Sequence, residues 1–148
     1  MQTSTTGLSR AWPDGLPVIG LTLLAAILRF PGLGALPPGL YHDEAYNGLD
    51  ALAVLAGARP VFFEANHGRE PLFIYLVAAS VAWLGRTPIA IRAVSALLGT
   101  LTVPATYLMG RAWFDRRIGL LAAVVTAVTV WPINLSRVGF RAVAMPLF

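Results

Sequence analysis

Two adjacent carboxylates, Asp43 and Glu44, lie in the run Tyr41-His42-Asp43-Glu44-Ala45-Tyr46-Asn47-Gly48. The run follows an apolar segment of membrane length that Pro37-Pro38-Gly39 stops. The carboxylates are therefore expected where lipid meets water. Charges are costly near a bilayer and tend to mark function there. Neighbouring positions on a helix point about 100° apart. One of the two can face a cleft while the other binds structure. A carboxylate near a low-dielectric boundary is a stronger base, which suits it to deprotonating an acceptor hydroxyl. The alternative is that Asp43 caps a helix and Glu44 sits favourably in its first turn.

A second polar knot follows, Asn66-His67-Gly68-Arg69-Glu70-Pro71-Leu72-Phe73. Guanidinium geometry matches phosphate oxygens, so Arg69 is a candidate lipid-phosphate ligand. The alternative is a flanking arginine paired with Glu70. Arg137 and Arg141 stand at i and i+4 just past the last apolar segment. They are candidates for the same phosphate; tight loop packing is the alternative. The two histidines, His42 and His67, both fall inside the polar knots. They could donate to a substrate. A divalent metal stays possible, but two isolated histidines do not define a site for one.

These residues need elements to position them, and composition says which. The chain has 148 residues, 57% hydrophobic and only 12% charged. Soluble domains average about 25% charged, so the reading is an integral membrane protein. Every basic residue is Arg, and the arginines are scattered without the basic face of a nucleic-acid binder. Without cysteine there is no disulfide, thiolate metal site or Cys nucleophile. Arg10 before an apolar run, with no clear cleavage site, reads as an uncleaved signal anchor.

A spanning helix needs about 20 apolar residues. Leu16 to Leu36, Ala93 to Gly110 and Ile118 to Leu135 qualify. Pro104 and Pro132 fall inside the last two, where membranes tolerate proline. Pro71 to Gly85 has only 15 residues, or about 22 Å of helix, and is expected not to cross. Asp43 to Gly57 reads as an amphipathic surface helix. Leu49, Leu52, Leu55 and Ala56 fall on one side and Asp43, Asn47 and Asp50 on another. Trp83, Trp113 and Trp131 near segment ends read as interfacial belt or core residues.

Arg111, Arg116 and Arg117 form the tightest basic loop, which the positive-inside rule places in the cytoplasm. The expected fold is all-α integral membrane. It has about three transmembrane helices plus two juxtamembrane helices on the outer side; the alternative has four transmembrane helices. The organisation reads as a cytoplasmic tail (1–15), a first span (16–36), an outer loop with surface helices (37–92) and further spans (93–148). Arg86 and Arg92 then face outward. The chain stops at Ala144-Met145-Pro146-Leu147-Phe148, inside an apolar segment. It is expected to be the N-terminal part of a longer protein.

The order of these features resembles the C-type membrane glycosyltransferases, in particular glycosyltransferase family 39. That group includes the protein O-mannosyltransferases and the lipid A aminoarabinose transferases. The family's Asp-Glu motif after a first transmembrane helix is matched by His42-Asp43-Glu44-Ala45. Its Pro-containing motif opening a second juxtamembrane helix resembles Arg69-Glu70-Pro71-Leu72-Phe73-Ile74-Tyr75. An Arg-containing span and basic loop are similar to Arg92 through Arg117, and a Ser-Arg pair to Ser136-Arg137. The resemblance covers about residues 16 to 148. Many relatives carry a second Asp after the Ser-Arg pair; Val138-Gly139-Phe140-Arg141-Ala142 has no acid.

The resemblance implies sugar transfer from a polyprenyl-phosphate donor to an acceptor hydroxyl on a glycan, lipid or protein. Asp43 would be the general base, with Glu44 beside it. His42, His67, Arg69, Arg137 and Arg141 would bind substrate or the departing phosphate. It also implies a multi-pass protein of a bacterial plasma membrane with its active site outward. The rival reading is a fragment of a transporter or flippase of envelope lipids.

Overall fold

Several helix starts in this chain carry local signals. Proline at the first helical position costs nothing, because its missing N–H would have no partner there. Pro71 and Pro88 both take that place. The Thr87 hydroxyl accepts from the Ala90 N–H, and the Asp115 carboxylate accepts from the Ile118 N–H. Glycine ends two helices: Gly57 has φ +109° and Gly85 φ +75°, values that L side chains avoid.

The computed structural model describes residues 12–147, with side chains from residue 15. The regular elements among the described residues are all helices, without a β-strand. The α-helices are α1 (Trp12–Arg29), α2 (His42–Leu55), α3 (Pro71–Leu84), α4 (Pro88–Trp113), α5 (Arg116–Val128) and α6 (Val130–Arg137). A 3-10 helix, Arg141–Leu147, follows.

α4 is the axis. Its first half packs with α2 and α3 around Ala51, Val54, Phe73, Ile74, Val77 and Ile91. Its second half packs with α1 and α5 around Ala25, Val103, Tyr107, Ala123 and Ala127. Small residues bring backbones together, as packed apolar helices require. A Cβ on Gly110 would lie 2.9 Å from the Gly119 Cα, so α4 and α5 cross backbone to backbone. A Cβ on Gly99 would collide with the Ser136 side chain.

α4 is long and apolar enough to cross a membrane. α5 and α6 qualify only as one broken span, because they bend by 54°. α1 and α3 are shorter apolar helices. Three expected segments therefore change shape. The first is helical only to Arg29, and Phe30 to Gly39 runs as turns. The segment beginning at Ile118 breaks at Thr129, whose backbone is extended (φ −66°, ψ 127°). Pro132 has no N–H for the Val128 carbonyl, which explains a break there. The segment placed at Ala93–Gly110 begins earlier, at Pro88, and takes Arg92 into the helix.

α2 also turns differently from its apolar pattern. It buries Glu44, Asn47, Ala51 and Val54, while Leu49 and Leu55 stay exposed. Two arginines draw the polar residues inward, as described below. Trp83, Trp113 and Trp131 are all exposed, which removes the core alternative for them.

Candidate functional site

The loop between α2 and α3 folds back on itself. Phe63 and Arg69 exchange both backbone hydrogen bonds, at 3.1 and 2.8 Å. Closing so short a loop puts Asn66, His67 and Gly68 in the left-handed region, at φ 53°, 68° and 77°. Asn and His enter that region more readily than most side chains. Gly68 is needed for a second reason: a Cβ there would meet the Phe62 ring at 2.6 Å. The loop tip thereby delivers Asn66 to α2, where its Nδ2 donates to Asp43 Oδ1 at 2.6 Å.

A polar pocket of about 160 Å³ opens at this contact. Asp43, Asn47, Asn66, His67, Arg69, Phe140 and Arg141 line it. Four residues singled out in the sequence, Asp43, His67, Arg69 and Arg141, are thus brought together. His42 lies beside the pocket without lining it. Its Nδ1 is 3.6 Å from Asp43 Oδ1, and its ring meets Tyr46 edge-on at 4.8 Å.

Glu44 takes the opposite direction. It is fully buried, and its Oε2 accepts from the Tyr41 N–H at 2.8 Å. Arg92 from α4 donates to it through Nε (2.7 Å) and Nη2 (3.1 Å). The same guanidinium donates to the carbonyls of Leu33, Pro37 and Gly39. Arg92 therefore ties the α1–α2 connection, the start of α2 and α4 into one knot. Glu44 lines none of the cavities found among the described residues.

The arginines differ sharply in what they have left to give. Arg69 is buried, and all three of its nitrogens donate: Nε to Ala65 O, Nη1 to Asn47 Oδ1 and Nη2 to Asp50 Oδ2. Its guanidinium carbon also sits 5.9 Å from the Tyr46 ring centroid. Arg137 lies away from the pocket and closes the end of α1, donating to the carbonyls of Leu28, Arg29 and Pro31. Arg141 uses a single nitrogen, Nη1, toward Gly68 O (3.1 Å) and Glu70 Oε2 (2.8 Å). Among the described residues, nothing accepts from its Nη2 or Nε.

Glu70 is the N-cap residue of α3 and mostly exposed. Its own backbone N–H, and secondarily Arg141, hold its carboxyl below the usual carboxylate range. Gly139, at φ +55°, lets the chain after α6 pass under α2. Its carbonyl accepts from Asn47 Nδ2 at 3.2 Å, and a Cβ would press on Glu44 Oε1 at 3.0 Å. That passage delivers Phe140 and Arg141 to the pocket wall.

The same two residues also line a second cavity of about 430 Å³. It is an apolar groove with Leu72, Phe73, Leu76, Leu98 and Met145 along it and Glu70 at its rim. Carboxylate pocket and apolar groove share one wall. Among the described residues, no group of three or more His, Cys, Asp or Glu side chains could hold a metal ion.

No protein-family model, curated protein or solved structure matches this chain.

The sequence reading missed Asn66, Phe140 and the Glu44–Arg92 pair. Asn66 carried a signal: Asn-His-Gly is a tripeptide suited to left-handed backbone. The Glu44–Arg92 pair spans 48 residues, and no local pattern announces it.

Proposed function

We propose that this chain forms the donor site of a membrane glycosyltransferase that takes a sugar from a polyprenyl-phosphate carrier. The supporting observation is the shared wall between the carboxylate pocket and the apolar groove. An amphiphilic donor fits that layout. Its isoprenoid chain lies in the groove, its phosphate meets Arg141, and the acceptor hydroxyl reaches Asp43. Asp43 removes the hydroxyl proton as the bond to the sugar forms. Arg141 stabilises the departing phosphate electrostatically.

In this reading α4 and the bent α5–α6 pair cross a bacterial plasma membrane. α2 and α3 lie along the outer face, and the Arg111–Arg117 corner lies in the cytoplasm. α1, α4 and α5 turn Leu16, Ile19, Ile27, Leu108, Leu121 and Val125 outward. Water penalises such a face and lipid does not. The rival transport reading would place ionisable groups along a path through the spans. Arg29 and Arg92 are buried within helices but bonded to carbonyls and Glu44. Neither lines any cavity described above.

The test is Asp43→Asn in membranes expressing the natural gene. Loss of a general base lowers rate by about 10²–10⁴, so sugar transfer from a polyprenyl-phosphate sugar should fall by that factor. Protein level and donor binding should not change. Turnover near that of the parent would remove Asp43 from the chemistry.

A further inference from the structure

We propose that Glu70 is an internal counter-ion that occupies Arg141 until the phosphate of a single-chain lipid displaces it. The inference rests on the donor-site reading above and adds an internal competitor to it.

Arg141 stands in the wall common to the pocket and the groove. A headgroup passing from one to the other must meet it. Glu70, at the rim of the groove, already holds its Nη1 at 2.8 Å. The pair is poorly protected: the Arg141 side chain is 34% exposed and that of Glu70 75%. Ion pairs this open to water are weak. Compared with Arg69 and Arg92, sealed by several acceptors each, this pair is built to part.

A phosphate has the means to part it. It offers three acceptor oxygens and can take two parallel bonds from a guanidinium. Nη2 and Nε of Arg141 have no acceptor among the described residues, so a second bond needs no further rupture. Glu70, once released, is not stranded. Its side chain is open to water, and it sits at the positive end of α3. Displacement therefore exchanges one weak pair for a bidentate contact and leaves no buried charge alone. A neutral lipid brings no charge to the exchange, and Arg141 stays on Glu70. Glu70 thus sets a threshold that an anionic headgroup must exceed to reach Arg141.

The test uses the whole chain in phosphatidylcholine nanodiscs with three probes: dodecyl phosphate, dodecanol and inorganic phosphate. Glu70→Gln keeps size and removes the charge, and an exposed pair is worth a factor of about 1–5 in an equilibrium. Glu70→Gln should therefore bind dodecyl phosphate about 2–5-fold more tightly than the parent. Dodecanol affinity should not move. In an Arg141→Gln background, Glu70→Gln should have no effect on dodecyl phosphate. Unchanged or weaker binding of dodecyl phosphate by Glu70→Gln would overturn the proposal. So would equal tightening of dodecanol, or no binding of dodecyl phosphate to either protein. Inorganic phosphate competing as well as dodecyl phosphate would overturn the lipid source. Sugar transfer is a separate readout. Its absence, with these binding results intact, would remove the glycosyltransferase reading and leave the Glu70–Arg141 exchange standing.

Discussion

Asp43 and Glu44 are neighbours in sequence and opposites in circumstance. Asp43 faces an open polar pocket with one hydrogen bond to Asn66. Glu44, one residue on, is sealed against Arg92 and the Tyr41 N–H. The arginines divide in the same way. Arg92 donates to five acceptors and Arg141 to two through one nitrogen. Residue type does not separate a structural charge from an available one. The number of partners and the access of water do. A buried charge with every partner in place holds the fold; a charge with room left can meet a ligand.

The sealed side is the more sensitive to substitution. Arg92→Leu leaves Glu44 buried without its cation and frees three carbonyls. Removing one partner of a buried pair costs about 3–5 kcal/mol. Thermal unfolding in detergent should show a loss of that size, whereas Asp43→Asn should leave the transition in place. Equal stability of the two variants would erase the distinction. A smaller effect is expected at Gly139, which abuts the same knot. A side chain at φ +55° costs about 1–2 kcal/mol, and the Cβ would also crowd Glu44. Gly139→Ala should lower the midpoint moderately and loosen α2, measured as faster amide exchange at Asn47. Parent-like exchange there would show that the passage tolerates a side chain.

The smallest effect belongs to the open side. The folded-state pKa of Glu70 is depressed. Its favourable contacts are therefore complete above the ordinary carboxylate range and are lost as pH falls through the lower folded value. A carboxyl-carbon NMR titration should place the Glu70 midpoint below that of an unperturbed glutamate. Arg141→Gln should raise that midpoint only part of the way, because the larger cause is the backbone N–H of Glu70 itself. Full return to the ordinary value would mean that Arg141 governs it.

The sequence made α3 legible almost to the residue, since Pro71 and Gly85 bracket one unbroken apolar run. The polar line Asp43, Asn47 and Asp50 was legible as well. What that line does was not: Asn47 and Asp50 hold Arg69, and Asp43 alone of the three meets the loop tip. The start of α4 was hidden for a physical reason. Arg92 reads as a boundary when charge is taken to mark water, but a buried carboxylate from a distant helix makes the interior its place. Thr87-Pro88 was the better signal, because caps report local backbone chemistry. The apolar face assigned to α2 failed on similar grounds. Small Ala51 fits a close helix contact, while Leu49 and Leu55 are left outside.

The exchange of caps between α1 and the α5–α6 pair sets an order of events. Arg29, at the end of α1, donates to Thr126 and Ala127, which lie 97 and 98 residues later. Arg137 returns to α1 across 106 to 109 residues. A ribosome adds about 5–20 residues per second. For about 5–20 s after its synthesis at that pace, the Arg29 charge lacks these acceptors. α1 is finished only after α5 and α6 have been made.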